Sequence, residues 1–197
     1  MNVFNKDKKL KECFSKTYEC ALNEYRRENF SKSFSILKYR TNQLNDTIAM
    51  RDLAYHYQKG YGIAVDLNKA FQLYKKAAES GNSFAFSDLG LFYKEGIYVK
   101  KNIKKAIEYY LIAADKGDSF ALFNLGVIYT RGNDVPVNFN KGFDYINKAA
   151  RLGNLFAKTE LGYIYENGEG VSKNLQKSKL YFLEAAEKNH PEAFAKL

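Results

Sequence analysis

The chain has 197 residues, of which 46% are hydrophobic and 27% charged. Its formal net charge of +9 and pI near 9.3 favour an acidic partner, whether a protein, nucleic acid or an anionic membrane. No stretch approaches the roughly 20 apolar residues of a membrane span, and no apolar run of about 7 to 15 residues follows the basic N-terminus, so neither a spanning helix nor a secretory signal is expected.

Residues 1–46 read as an N-terminal helical cap or degenerate repeat. Leu10, Phe14, Ala21 and Tyr25 mark one helical stripe, and Phe30, Phe34, Leu37 and Leu44 another. Cys13 and Cys20 are seven residues apart on what reads as one helix, about 10 Å along its axis, which is too far for a disulfide. Reduced thiols point to a cytoplasmic location.

From residue 47 the chain repeats. Ala49, Ala85, Ala121 and Ala157 stand 36 residues apart, and Leu53, Tyr57 and Gly60 begin three further columns that recur without a gap. A unit of this length cannot bury its apolar face alone, so neighbouring units must stack into one continuous core and one domain. In the second unit Ala85, Leu89, Phe92 and Tyr93 predict a helix A, opened by Asn82 or Ser83 and closed by Gly96. Asn102 then caps a helix B whose inward face is Ala106, Ile107, Tyr110, Ala113 and Ala114, and Gly117 ends it. Asp66, Asn138 and Asn174 occupy the Asn102 position in the other units.

Ala54, Gly90, Gly126 and Gly162 share a column inside helix A, where glycine costs about 1 kcal/mol relative to alanine. A close approach of helix A to helix B offsets that cost, helped by the alanine pairs Ala77-Ala78, Ala113-Ala114, Ala149-Ala150 and Ala185-Ala186. In the third unit Gly142 and Ile146 replace an alanine and an aromatic, so its helix B is expected to be the softest. Pro191 suits the first turn of a fifth helix A over residues 189–197, which reaches Leu197 in the Leu161 column. That edge is open to self-covering, to continuation of the chain or to a partner chain, including an end-to-end dimer through the C-terminal repeat.

The pattern of alanine, leucine-glycine, tyrosine and glycine, then lysine-alanine and a closing alanine pair, resembles the Sel-one-like repeat family, relatives of the tetratricopeptide repeats. Ala157 to Ala186 carries it best, and four units span residues 47–188. The resemblance implies an all-α fold, a right-handed α-solenoid of stacked antiparallel helix pairs, and a role as adaptor or scaffold without catalysis. Secreted cysteine-rich members staple each repeat with a disulfide; these four units contain no cysteine, which again suits the cytoplasm.

By analogy with tetratricopeptide arrays, helix A lines a concave groove, and its positions between the core columns are candidate readers of a protein partner. Those predicted to bind are Arg51, Tyr55, Phe84, Leu91, Phe120, Phe123, Val127, Phe156 and Tyr163. The competing reading tucks Phe84, Phe120 and Phe156 between helices as core. Lys69, Lys105, Lys141 and Lys177 recur in one column and belong to the framework, their stems along the core edge. The runs Lys100, Lys101, Lys104, Lys105 and Lys6, Lys8, Lys9, Lys11 read first as solvated faces.

Nucleic acid and membrane are not expected as partners, because most of the 16 tyrosines fall in core columns and leave few for base stacking. Nor is a cofactor or metal expected. His56 and His190 are isolated in sequence, no cysteine has a histidine nearby, and Gly60-Tyr61-Gly62 and Gly168-Glu169-Gly170 follow helices and serve as helix stops. The chain reads as a protein-binding module whose partner is acidic at its edges. A dedicated inhibitor such as an immunity protein is the second use, and a hydrolase lacks a nucleophile with a base.

Overall fold

A computed structural model describes residues 18–132, 135–188 and 191–196. The chain divides into two compact units, one of residues 1–92 with 96–100, the other of residues 93–95 with 101–197. All regular structure among the described residues is helical, and the protein has an all-α repeat fold.

The first unit contains α1 (Glu19–Arg26), α2 (Phe30–Leu44), α3 (Thr47–Lys59), α4 (Leu67–Glu79) and α5 (Phe84–Glu95) up to Phe92. Successive helices from α1 to α4 pack on one another, and Ala21, Phe34, Ile36, Leu37, Ala49 and Leu53 form a buried cluster. The second unit contains α6 (Ile103–Asp115), α7 (Ser119–Arg131), α8 (Phe139–Arg151), α9 (Leu155–Asn167), α10 (Leu175–Ala186) and α11 (Pro191–Phe194). Its main cluster joins Leu122, Ile146, Ala149, Ala150, Ala157, Leu161 and Ile164. At its end Ala193 of α11 closes over Ala185 and Ala186, so the short helix starting at Pro191 covers part of the α10 face.

Each helix starts and stops where its side chains dictate. Asp66, Asn102, Asn138 and Asn174 accept hydrogen bonds from Lys69, Lys105, Lys141 and Lys177 N–H, which satisfies an orphan donor at the start of α4, α6, α8 and α10. The A helices α3, α5, α7 and α9 end on Gly60, Gly96, Gly132 and Gly168, all with φ between 68° and 78°, a conformation that glycine reaches without strain.

A second capping column opens the A helices. Asp46, Asn82, Asp118 and Asn154 accept from the N–H groups of Ala49, Ala85, Ala121 and Ala157. Ser83, which shared the expected role, makes no side-chain cap. The amides do more, because Asn82 Nδ2 donates to Thr47 O at 2.9 Å and Asn154 Nδ2 to Ser119 O at 3.2 Å. Each therefore ties the start of one A helix to the start of the A helix before it.

The A and B helices nest as the small residues require. A Cβ on Gly126 would stand 2.3 Å from Ile146 Cγ1 and 3.0 Å from Gly142 O, and one on Gly142 would stand 2.9 Å from Gly126 O and 3.0 Å from Thr130 N. Rising positions on α7 meet falling positions on α8, so the pair is antiparallel. The expected softness of α8 is not what this geometry provides: Gly142 is a site of near backbone contact, and Ile146 is fully buried beneath Gly126.

The cysteine reading is corrected. Cys20 is disulfide-bonded, and the one other cysteine, Cys13, lies outside the described residues. The spacing argument assumed a single helix through both, whereas α1 begins at Glu19. Reduced thiols thus no longer support a cytoplasmic location. Leu10, Phe14, the lysines from Lys6 to Lys11, His190 and Leu197 also fall outside the described residues.

Gly126→Ala tests the nesting. Alanine gains about 1 kcal/mol of helix propensity, but overpacking against Ile146 and Gly142 costs about 1–3 kcal/mol, so the urea midpoint falls even though a glycine has left a helix.

Candidate functional site

In the first unit the predicted partner-binding residues separate by environment. Phe84 is 49% exposed and Tyr55 is exposed beside it in the sequence pattern, while Leu91 is half-buried. Arg51 is not free to read a partner: its Nε lies 2.5 Å from Asp88 Oδ2, and its guanidinium stands 6.0 Å from the Phe84 ring centroid. In the second unit Phe120 and Phe156 are 38% and 54% exposed. Phe123 is half-buried, packed against the main cluster and 6.0 Å from the Phe156 ring. Val127 and Tyr163 are half-buried, with Tyr163 edge-on to Phe182 at 5.2 Å.

The phenylalanine column is therefore exposed in both units and is not core. The next column is mixed, since Ser87 and Thr159 are buried and Thr159 Oγ1 donates to Leu155 O.

The lysine column has a specific framework role. The Nζ atoms of Lys69, Lys105, Lys141 and Lys177 stand 5.5, 4.5, 4.1 and 5.1 Å from the ring centroids of Tyr57, Tyr93, Tyr129 and Tyr165. Each ammonium caps the aromatic of its own repeat. Lys141 also donates to the Tyr129 hydroxyl at 2.9 Å. Lys100, Lys101 and Lys104 remain on the surface.

His56, isolated in sequence, is not isolated in space. It is 2% exposed, its Nδ1 lies 2.7 Å from Tyr61 O, and Ser33 Oγ lies 3.4 Å from its Nε2. Burial lowers its pKa, which keeps the imidazole neutral. Near it Asp52 accepts a hydrogen bond from the Tyr18 hydroxyl, and burial raises the carboxyl pKa against the opposing effects of that bond and of Arg51. The sequence reading missed Asp52. A signal existed in the spacing, because Asp52, Asp88, Asn124 and Glu160 stand 36 residues apart as a polar column within the A helices. Among the described residues no three His, Cys, Asp or Glu side chains converge as a metal site, and no helix is long and apolar enough to cross a membrane.

The family model for the Sel1 repeat matches residues 47–82, 87–118, 119–154 and 156–190. The chain belongs to the Sel1 repeat family. Among solved structures it is similar to a Sel1 repeat protein from Oxalobacter formigenes, with 30% identity over 85% of this chain and 68% of that one and a TM-score of 0.78. It is similar to a protective antigen of uropathogenic Escherichia coli, with 26% identity and a TM-score of 0.75; 94% of this chain is covered but only 42% of the antigen. It is also similar to an immunity protein from Pseudomonas aeruginosa, with 25% identity, a TM-score of 0.63, and 88% and 66% of the two chains covered. No curated protein sequence matches the chain. Sel1 repeat proteins generally act as protein-interaction modules and are typically non-catalytic.

The half-buried Asp52 carboxylate opposes folding at neutral pH. Its folded-state pKa lies above the ordinary value of 3.8, so between the two the native state binds more protons than the unfolded chain, and stability falls as pH rises through that window. Asp52→Asn keeps an acceptor for Tyr18 and removes the charge. Thermal melting across pH is expected to show the variant more stable at pH 7, with its advantage disappearing below about pH 4.

Proposed function

We propose that this chain is a protein-binding module that grips an apolar segment of its partner with the exposed phenylalanines of its A helices. The observation that carries the reading is the exposure of Phe120 and Phe156 on α7 and α9, with Phe123 set against Phe156. Their framework neighbours are committed: the tyrosines hold lysines and the small residues hold helices together. Exposed phenylalanines at the same position of successive repeats present apolar surface to solvent, and such rings serve as anchors for an apolar helix or an extended segment.

The binding set is Phe120, Phe156 and Tyr163 with the half-buried Phe123 and Val127, and in the first unit Phe84, Tyr55 and Leu91, with Arg51 beside the Phe84 ring. The net charge of +9 fits a partner acidic at its edges. A second reading is a dedicated inhibitor that occludes one toxin or enzyme, favoured by the likeness to an immunity protein. The disulfide at Cys20 fits an oxidising compartment, against the cytoplasmic expectation.

Phe120→Ser combined with Phe156→Ser tests the reading without entering the core. Affinity capture from the native extract should lose the partner held by the wild type, by at least about tenfold, with helicity and melting unchanged. Capture by the wild type should survive high salt; a complex dissolved by salt alone would assign the binding to the surface lysines instead.

A further inference from the structure

Three helices of the first unit, α1, α2 and α3, enclose a pocket of about 260 Å3. Ala21 and Leu37 supply apolar lining, and Tyr25, Ser33, Arg51, Asp52, Tyr55 and His56 supply the chemistry.

The repeat itself shows what Asp52 lacks. Asp88, Asn124 and Glu160 occupy its position in the following units, and each faces a cation from the A helix before it. Arg51 Nε is 2.5 Å from Asp88 Oδ2, Lys94 Nζ is 2.8 Å from Asn124 Oδ1, and Arg131 Nη2 is 3.7 Å from Glu160 Oε1. Asp52 heads the column. The degenerate helices before it bring no ammonium or guanidinium within ion-pairing distance among the described residues, and Asp52 has only the Tyr18 hydroxyl as a side-chain donor. Arg51, adjacent in sequence, is held by Asp88.

Of the remaining polar groups of the pocket, Arg51 is a cation committed to Asp88, and the others leave acceptors. Tyr61 O can only accept, so His56 carries its proton on Nδ1 and offers Nε2 to the Ser33 hydroxyl. Ser33 donates to His56 and keeps its oxygen lone pairs for the pocket. The Tyr25 and Tyr55 rings lie 5.7 and 5.8 Å from the Tyr61 ring, and burial pushes the Tyr25 hydroxyl up to about 12 and raises that of Tyr55, so both stay neutral phenols whose rings attract cations. A cavity that combines an ion-unpaired carboxylate, a hydroxyl acceptor and two tyrosines has the composition of a cation site. The chain's positive net charge opposes this only weakly, since salt screens exposed charges beyond about 8 Å.

We propose that this pocket binds one organic cation bearing N–H donors, an alkylammonium or alkylguanidinium head, which pairs with Asp52 as Arg51, Lys94 and Arg131 pair with the next members of the column. Such a head is carried by a free small molecule or by a lysine or arginine side chain of a partner. The pocket belongs to the first unit and Phe120 and Phe156 to the second, and it binds its ligand whether or not they hold a protein.

The test titrates the full chain with propylguanidinium, butylammonium and neutral pentanol, following tyrosine and histidine resonances by NMR. At least one of the two cations should shift Tyr25, Tyr55 and His56 saturably, while pentanol should not. Asp52→Asn should weaken that binding about tenfold or more while melting no lower than wild type, and Tyr55→Ala should weaken it independently. Phe120→Ser with Phe156→Ser should bind as wild type, which separates this site from the protein-binding phenylalanines of the second unit. Blocked arginine amide binding at least as tightly as propylguanidinium assigns the cation to a partner's side chain; weaker binding assigns it to a free small molecule. Equal shifts with pentanol, no saturable shift with either cation, or unchanged affinity in Asp52→Asn would overturn the proposal.

Discussion

Helix backbones that almost touch set the geometry of the third repeat. Between α7 and α8 a single added Cβ at Gly126 or Gly142 would stand 3.0 or 2.9 Å from the facing carbonyl oxygen, tighter than ordinary packing. Between helices that close Ile146 fits beneath Gly126, while tyrosine rings stack at the rim. There Tyr129 stacks on Tyr145 with 6.0 Å between centroids, Tyr165 on Tyr181 with 5.8 Å, and Tyr93 on Tyr109 with 5.6 Å. The rim rings in turn hold the lysine column by cation–π attraction. The glycines, the stacked tyrosines and the recurring lysines are thus one device, and much of the excess positive charge belongs to it.

The repeat was legible because it is periodic. Gly60, Gly96, Gly132 and Gly168 announce helix ends through a conformation only glycine adopts freely, and Asp66, Asn102, Asn138 and Asn174 announce helix starts through side-chain acceptors. Asp46, Asp118 and Asn154 obey the same rule but went unread, because aspartate and asparagine alternate in that column and hide its regularity. The expected softness of α8 followed from propensity, which counts the cost of Gly142 on its own helix and not the contact it permits with α7. Exposure of Phe84, Phe120 and Phe156 was one of two readings open to the sequence, since the same ring serves as core or as anchor depending on how far neighbouring helices are spaced.

What could not be read lies where periodicity fails. Cys20, Tyr18, Tyr25 and Ser33 belong to α1, α2 and the turn before them, and no repeat column says what they face. The disulfide at Cys20 contradicts a spacing argument that assumed one continuous helix. His56 and Asp52 sit in the first full repeat, yet their surroundings come from the degenerate helices packed on it. The departures from the repeat are the exposed rings of Phe84, Phe120 and Phe156 on the A helices, and Asp52 at the head of its column, which no ammonium or guanidinium pairs among the described residues.

Amide hydrogen exchange through α7 and α8 tests the governing constraint most directly. If near backbone contact at Gly126 and Gly142 offsets the intrinsic cost of two helix-interior glycines, the amides around Gly126, Gly142 and Ile146 exchange among the slowest in the second unit, slower than those of α10. Exchange there as fast as at the end of α10 would contradict the account and leave the glycine column without its compensating contact.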